Sequence, residues 1–358
     1  DEDSFYIDYE AGHVYIGVDP ADKLVEITAW NNAFIRTTRE AHGKAPDKKG
    51  PVIRGLTFTQ YAYRAIDIEH KRPAAKATEE PTDDPIGPQE PGTYGREVVG
   101  TTLENVTISH CSRVAGYFRG DGLVIRNSLV SDTSTEGIYV IGSSDVLLER
   151  NIIRRNNVEQ LTGYYPAAVK IFNQSHRVTC RDNLVLDNPH SNGIWYDVGN
   201  HDGVFVNNWI ENAQDGFFFE ISDGAICAGN VFVGCRNGIH VLNAANVHAY
   251  HNTLVNSPAR IWRTERSTIG DHFGWHTSTA PPVDERDGHV FVANLLVADE
   301  AHTFPLLQTV QSGALCGQLT EPQLKQLDGN VYVRRGAATT PLVQWSPADG
   351  EDCRVALD

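Results

Sequence analysis

Apolar and polar positions along this chain alternate in short bursts. An Asn followed by a brief apolar run recurs at Asn105, Asn127, Asn151, Asn183, Asn208, Asn230 and Asn252, at intervals close to 22 residues apart from one long step, and again at Asn294 and Asn330 after longer insertions. The runs are β-branched or aromatic and are broken by Gly, Asn, Asp and Ser; no 3.6-residue period extends far. A rung of about 22 residues in three short strands predicts an all-β solenoid, a right-handed parallel β-helix. An Asn at one corner of each rung predicts a ladder of amides bonded from coil to coil.

The pattern also assigns the faces of one strand in each rung. Ile138/Val140, Val169/Ile171, Ile194/Tyr196, Phe217/Phe219 and Ile239/Val241 are apolar or aromatic throughout, so they point inward. Tyr139/Ile141, Lys170/Phe172, Trp195/Asp197, Phe218/Glu220 and His240/Leu242 then point outward. A shift of one residue would turn Lys170 into the core, at a high cost. Outward positions on a solenoid are expected to be wet, so exposed aromatics there predict a binding groove.

Two of these segments are one motif written twice. Gly193-Ile-Trp-Tyr-Asp197 and Gly216-Phe-Phe-Phe-Glu220 lie 23 residues apart, and each ends in a carboxylate. Equivalent positions on adjacent parallel strands are about 4.8 Å apart. The spacing therefore predicts two carboxyl groups near the ~5–5.5 Å separation of retaining glycosidases. Like charges this close raise one pKa, which suits one acid to donate a proton while the other attacks. Trp195 and Phe218 share the face and could stack on a sugar ring, with Lys170 and His240 on the flanking rungs.

The segment from Gly193 through Asp197, then Asn207-Asn-Trp-Ile-Glu-Asn212 and Asp215 through Gly224, resembles the catalytic region of glycoside hydrolase family 120, a β-helical family containing β-xylosidases. The resemblance implies a pectin-lyase-like coil and a retaining, β-xylosidase-like hydrolase, with Asp197 the nucleophile and Glu220 the acid/base. Lys170, Trp195, Phe218 and His240 are expected around the sugar, with Tyr139, His272 and Trp275 further out. An oligo- or polysaccharide is the expected partner, no cofactor is expected, and a secreted or periplasmic location follows from the class.

Other classes compete. A polysaccharide lyase on the same fold would use Lys170 or an Arg as base, with Ca²⁺ held by Asp197 and Glu220. A non-catalytic carbohydrate-binding solenoid would need the aromatics but not the acids. Composition narrows the field. The net charge of −16, without a basic stripe, argues against nucleic acid and weakly against a strongly anionic polymer. No apolar run is long enough to span a membrane.

Residues 1–48 carry three alternating stretches and are expected to form a β-hairpin or cap, leaving 49–358 to the coil. Residues 71–98, rich in Pro, Glu and Asp, and 262–289, rich in His, Trp and Arg, are expected to be loop insertions. Cys180 and Cys227 fall at core positions, and no Cys spacing suggests a metal. Cys316 and Cys353 could pair, although no spacing selects that bridge.

Overall fold

The computed structural model describes residues 4–38, 47–69, 98–163, 166–266, 281–335 and 340–358. Every third strand in sequence joins the same sheet, giving two sheets of ten strands and one of twelve. Neighbours within each sheet run parallel, except that Val343–Trp345 and Val355–Leu357 pair antiparallel at the C-terminal end. The chain is thus a right-handed parallel β-helix, and helical structure among the described residues is confined to three short 3₁₀ turns.

The inward columns are those the alternation assigns. Ile138, Val169, Ile194, Phe217 and Ile239 stack in register, as do Val140, Ile171, Tyr196, Phe219 and Val241. All ten belong to one continuous core with Cys180 and Cys227. Burial at about 25 cal/mol per Å² of apolar surface is what drives the coil closed.

Asparagine ladders tie the rungs together at a corner. Asn151, Asn183, Asn208, Asn230 and Asn252 each donate a backbone N–H to the side-chain oxygen of the next member, at 2.8–3.0 Å, and the series ends on Asn294 and Asn330. The first two rungs depart from the sequence expectation. Asn105 and Asn127 are not ladder members; they occupy the preceding corner position in the left-handed region, with φ of 53° and 50°. Val106 and Ser128 hold the ladder positions, and Val106 N–H donates to Ser128 Oγ at 3.1 Å. Asn tolerates left-handed backbone better than most residues, so it serves either corner position.

Phe5–Asp8 and His13–Ile16 form the expected hairpin. The third alternating stretch, around Leu24–Ile27, is not a strand, and Leu24 and Ile27 are exposed. The coil's first strand, Phe34–Arg36, pairs with Arg64–Ile68, upstream of the boundary expected at 49. The expected loop at 71–98 falls almost wholly outside the described residues. So does the middle of the 262–289 insertion, with His272 and Trp275. Cys316 and Cys353 form a disulfide, and Cys111, Cys180, Cys227 and Cys235 are buried free thiols.

Candidate active site

Five consecutive strands of the twelve-stranded sheet build the site: Ala167–Phe172, Asn192–Asp197, Asp215–Glu220, Asn237–Leu242 and Ala259–Arg263. Asp197 pairs in register with Glu220, with Phe172 before them and Leu242 after. One column inward along the strands, Lys170, Trp195, Phe218 and His240 follow one another. The two carboxylates therefore share one outer face and are separated by one rung.

That face is not wet. Trp195 and Phe218 pack with Ala167 and against Leu242 as an apolar cluster outside the coil. Tyr139, Ile141 and Phe172 join Val114, Tyr117 and Val198 in another. Large side chains stacked every ~4.8 Å cover one another, so an outward position need not be a solvated one. Trp195 and Phe218 stack at 4.8 Å between centroids, and Phe218 and His240 at 4.5 Å with their planes 6° apart.

The two acids have contrasting surroundings. Lys170 is 1% exposed, and its Nζ lies 2.9 Å from Asp197 Oδ2 and 3.3 Å from the centre of the Trp195 ring. Glu220 faces the more distant Arg266, 3.6 Å from its Oε1. Burial pushes the Glu220 carboxyl up to about 8; the charge of Asp197 adds to the shift, while Lys170 and Arg266 oppose it. One carboxylate is clasped by an ammonium and the other is held protonated near neutral pH. Such divergence between neighbouring acids is the pattern of an acid/base assignment.

A cleft of about 460 Å³ opens beside Glu220. Trp195, Phe218, Asp215 and Glu220 form part of its lining, and Leu161, Pro166, His190, Asn192, Gln214 and Arg236 complete much of the wall. Lys170, His240 and Tyr139 are not among the lining residues. Lys170 grips Asp197, His240 lies behind Phe218, and Tyr139 stacks on Tyr117 at 5.7 Å. Asp197 is 2% exposed and also stands outside the lining.

Asp215 escapes a reading based on repeats, because its rung equivalents are not acidic: it pairs in register with Asn237. Its only sequence signal is an acid five residues before Glu220 in the same strand. Arg266 carried a signal only as part of the Arg-rich 262–289 insertion, and Leu161, Thr162, Gly163 and Pro166 gave none. Among the described residues no group of three or more His, Cys, Asp or Glu could hold a metal.

Comparison with known proteins bears on the coil. A family model described as a right handed beta helix region matches residues 92–254. Curated proteins gave no match. Among solved structures, XylC in complex with xylose is similar at 12% identity and a TM-score of 0.49, over 98% of this chain and 65% of that one. This chain therefore spans a little under two thirds of the length of XylC. The A-module of the Azotobacter vinelandii mannuronan C-5 epimerase AlgE4 is similar at 12% identity and a TM-score of 0.40, over 83% of this chain and 77% of that one. DFA-IIIase from Arthrobacter chlorophenolicus in complex with GF2 is similar at 13% identity and a TM-score of 0.39, over 89% of this chain and 63% of that one. Identities this low carry no argument about chemistry, which rests on the site itself.

Proposed function

We propose that this chain is a retaining glycoside hydrolase acting on an oligo- or polysaccharide, with Asp197 as nucleophile and Glu220 as acid/base. The observation that carries the reading is the pairing of Asp197 with Glu220 in register, combined with their opposite environments. Glu220, protonated near neutral pH, gives its proton to the glycosidic oxygen as that bond breaks. An oxygen of Asp197 bonds to the anomeric carbon, forming a glycosyl-enzyme. Glu220, now ionised, takes a proton from water, which attacks the same carbon and frees Asp197. Trp195 and Phe218 present their edges to the cleft and give the sugar an apolar contact there. Because Asp197 is 2% exposed, attack requires its cover to shift when the sugar binds.

The lyase alternative fits less well. It needs Lys170 at the substrate, and this lysine is buried against Asp197 and the Trp195 ring. It also needs both acids as Ca²⁺ ligands, whereas Glu220 is held protonated and Asp197 already faces an ammonium.

The test is a panel of aryl glycosides and polysaccharides read by mass spectrometry and by NMR of the first-formed anomer. Products heavier by one water with retained configuration support the reading. Unsaturated products, or inverted configuration, refute it. In Glu220→Ala, azide should restore turnover of an activated aryl glycoside, because azide needs no general base; failure of rescue removes Glu220 from that role.

A further inference from the structure

Asp215 opens the strand that closes with Glu220, and both line the cleft. Each of its carboxylate oxygens is anchored: Asn237 Nδ2 donates to Oδ1 at 2.5 Å, and His240 Nδ1 lies 2.8 Å from Oδ2. Burial alone would raise this carboxyl, but the charge of His240 and hydrogen bonds from His240 and Asn237 outweigh it, so Asp215 is held below its ordinary value. A buried anion is costly unless its partners compensate. Here two neighbouring strands cooperate to keep one, on the outer face, where coil packing has no use for it.

The rest of the arrangement shows what the anion is held for. A carboxylate offers about four acceptor positions, and the two protein donors take two. Trp195 Nε1, on the same cleft, is buried without a hydrogen-bond partner among the described residues. Arg236 stands on the cleft wall close enough to Asp215 to act on its charge. Trp195 and Phe218 meet the same cleft by their edges, since Lys170, their mutual stacking and His240 cover the ring faces. A flat ring bearing hydroxyls fits this set: hydroxyl hydrogens to Asp215, hydroxyl oxygens to Trp195 Nε1 and Arg236.

We propose that Asp215 is a specificity-determining residue that binds two neighbouring hydroxyls of an uncharged glycosyl unit seated against the edges of Trp195 and Phe218. His240 is its positioning residue, fixed by parallel stacking on Phe218. A carboxylate or sulfate on the sugar at this point would meet the charge of Asp215 and be refused. The inference deepens the hydrolase reading and rests on it only for the turnover measurements.

The experiment uses the full chain and two readouts. Saturation-transfer NMR compares D-xylose, D-glucose, D-galactose and L-arabinose with D-glucuronate and D-galacturonate. At least one neutral sugar should bind the native protein and neither uronate should; Asp215→Asn should bind that sugar at least tenfold more weakly. The aryl glycoside that is cleaved best, and its monodeoxy analogues, are then compared in native protein and Asp215→Asn. The variant should lose about 100-fold in kcat/KM on the parent, and less than threefold on the analogue lacking the hydroxyl read by Asp215. His240→Gln should show the same substrate pattern with a smaller loss. An equal loss on every analogue, no loss on the parent, or binding of uronates in preference to neutral sugars overturns the proposal. Neutral-sugar binding that depends on Asp215, without cleavage of any glycoside, would sink the hydrolase reading and leave this one standing. Cleavage that is indifferent to Asp215 does the reverse.

Discussion

Replacing Lys170 by Met tests the electrostatics of the site without any knowledge of the substrate. Nζ of Lys170 lies 2.9 Å from Asp197 Oδ2, with side-chain exposures of 1% and 3%. Methionine fills much of the same volume but removes the ammonium, so Asp197 must either keep a buried charge without it or take up a proton. Removing one partner of a buried pair typically costs about 3–5 kcal/mol, and loss of the contact with the Trp195 ring adds about 1 kcal/mol. We expect Lys170→Met to lower unfolding free energy by about 4–6 kcal/mol in equilibrium urea denaturation at pH 7. The double variant Lys170→Met/Asp197→Asn should recover at least half of that, since it removes both charges. The same lysine also lowers Glu220, so its loss should raise that group further. If Lys170→Met is within 1 kcal/mol of native, or the double variant is less stable than the single, the contact is not the ion pair described.

Other expectations follow from the same geometry. Glu220→Gln should lower kcat at least 10³-fold on an unactivated glycoside while changing ligand affinity by less than threefold, measured by steady-state kinetics and calorimetry. Glu220 holds its proton to about pH 8 in the folded chain, against an ordinary value of 4.5. A carboxyl protonated more readily when folded loses stability as pH rises between those values, so native protein should weaken from pH 5 to pH 8 while Glu220→Gln lacks that component, read by urea melts across the range. The alkaline limb of kcat/KM should likewise fall near pH 8. Asn208→Ala should destabilise by about 2–5 kcal/mol, because it strips the acceptor from the Asn183 N–H and the donor from the Cys180 carbonyl. Asn208→Ser should cost less, as Ser128 serves the same corner in an earlier rung.

Much of this architecture was legible in the chain because a solenoid's tertiary contacts are its sequence period. A residue meets its equivalent about one rung away, so the alternation in Ile194/Tyr196 and Phe217/Phe219 already names columns of the core. The same logic put Asp197 beside Glu220. It failed where one residue type serves two corner positions, as with Asn105 and Asn127, and where a stretch that reads as a strand has no ladder partner, as at Leu24–Ile27.

The character of the site was decided by tertiary structure alone. The sequence offered Lys170 as a wall of the sugar subsite, whereas three-dimensional packing turns its ammonium into the clasp of Asp197. Asp215 joins His240 only because the side chains lean diagonally across neighbouring strands, from the start of one to the middle of the next. Periodicity determines which backbone positions are neighbours. Burial, side-chain direction and the partners of each charge depend on how those side chains fill space above the sheet, and these set which of two like carboxylates keeps its proton.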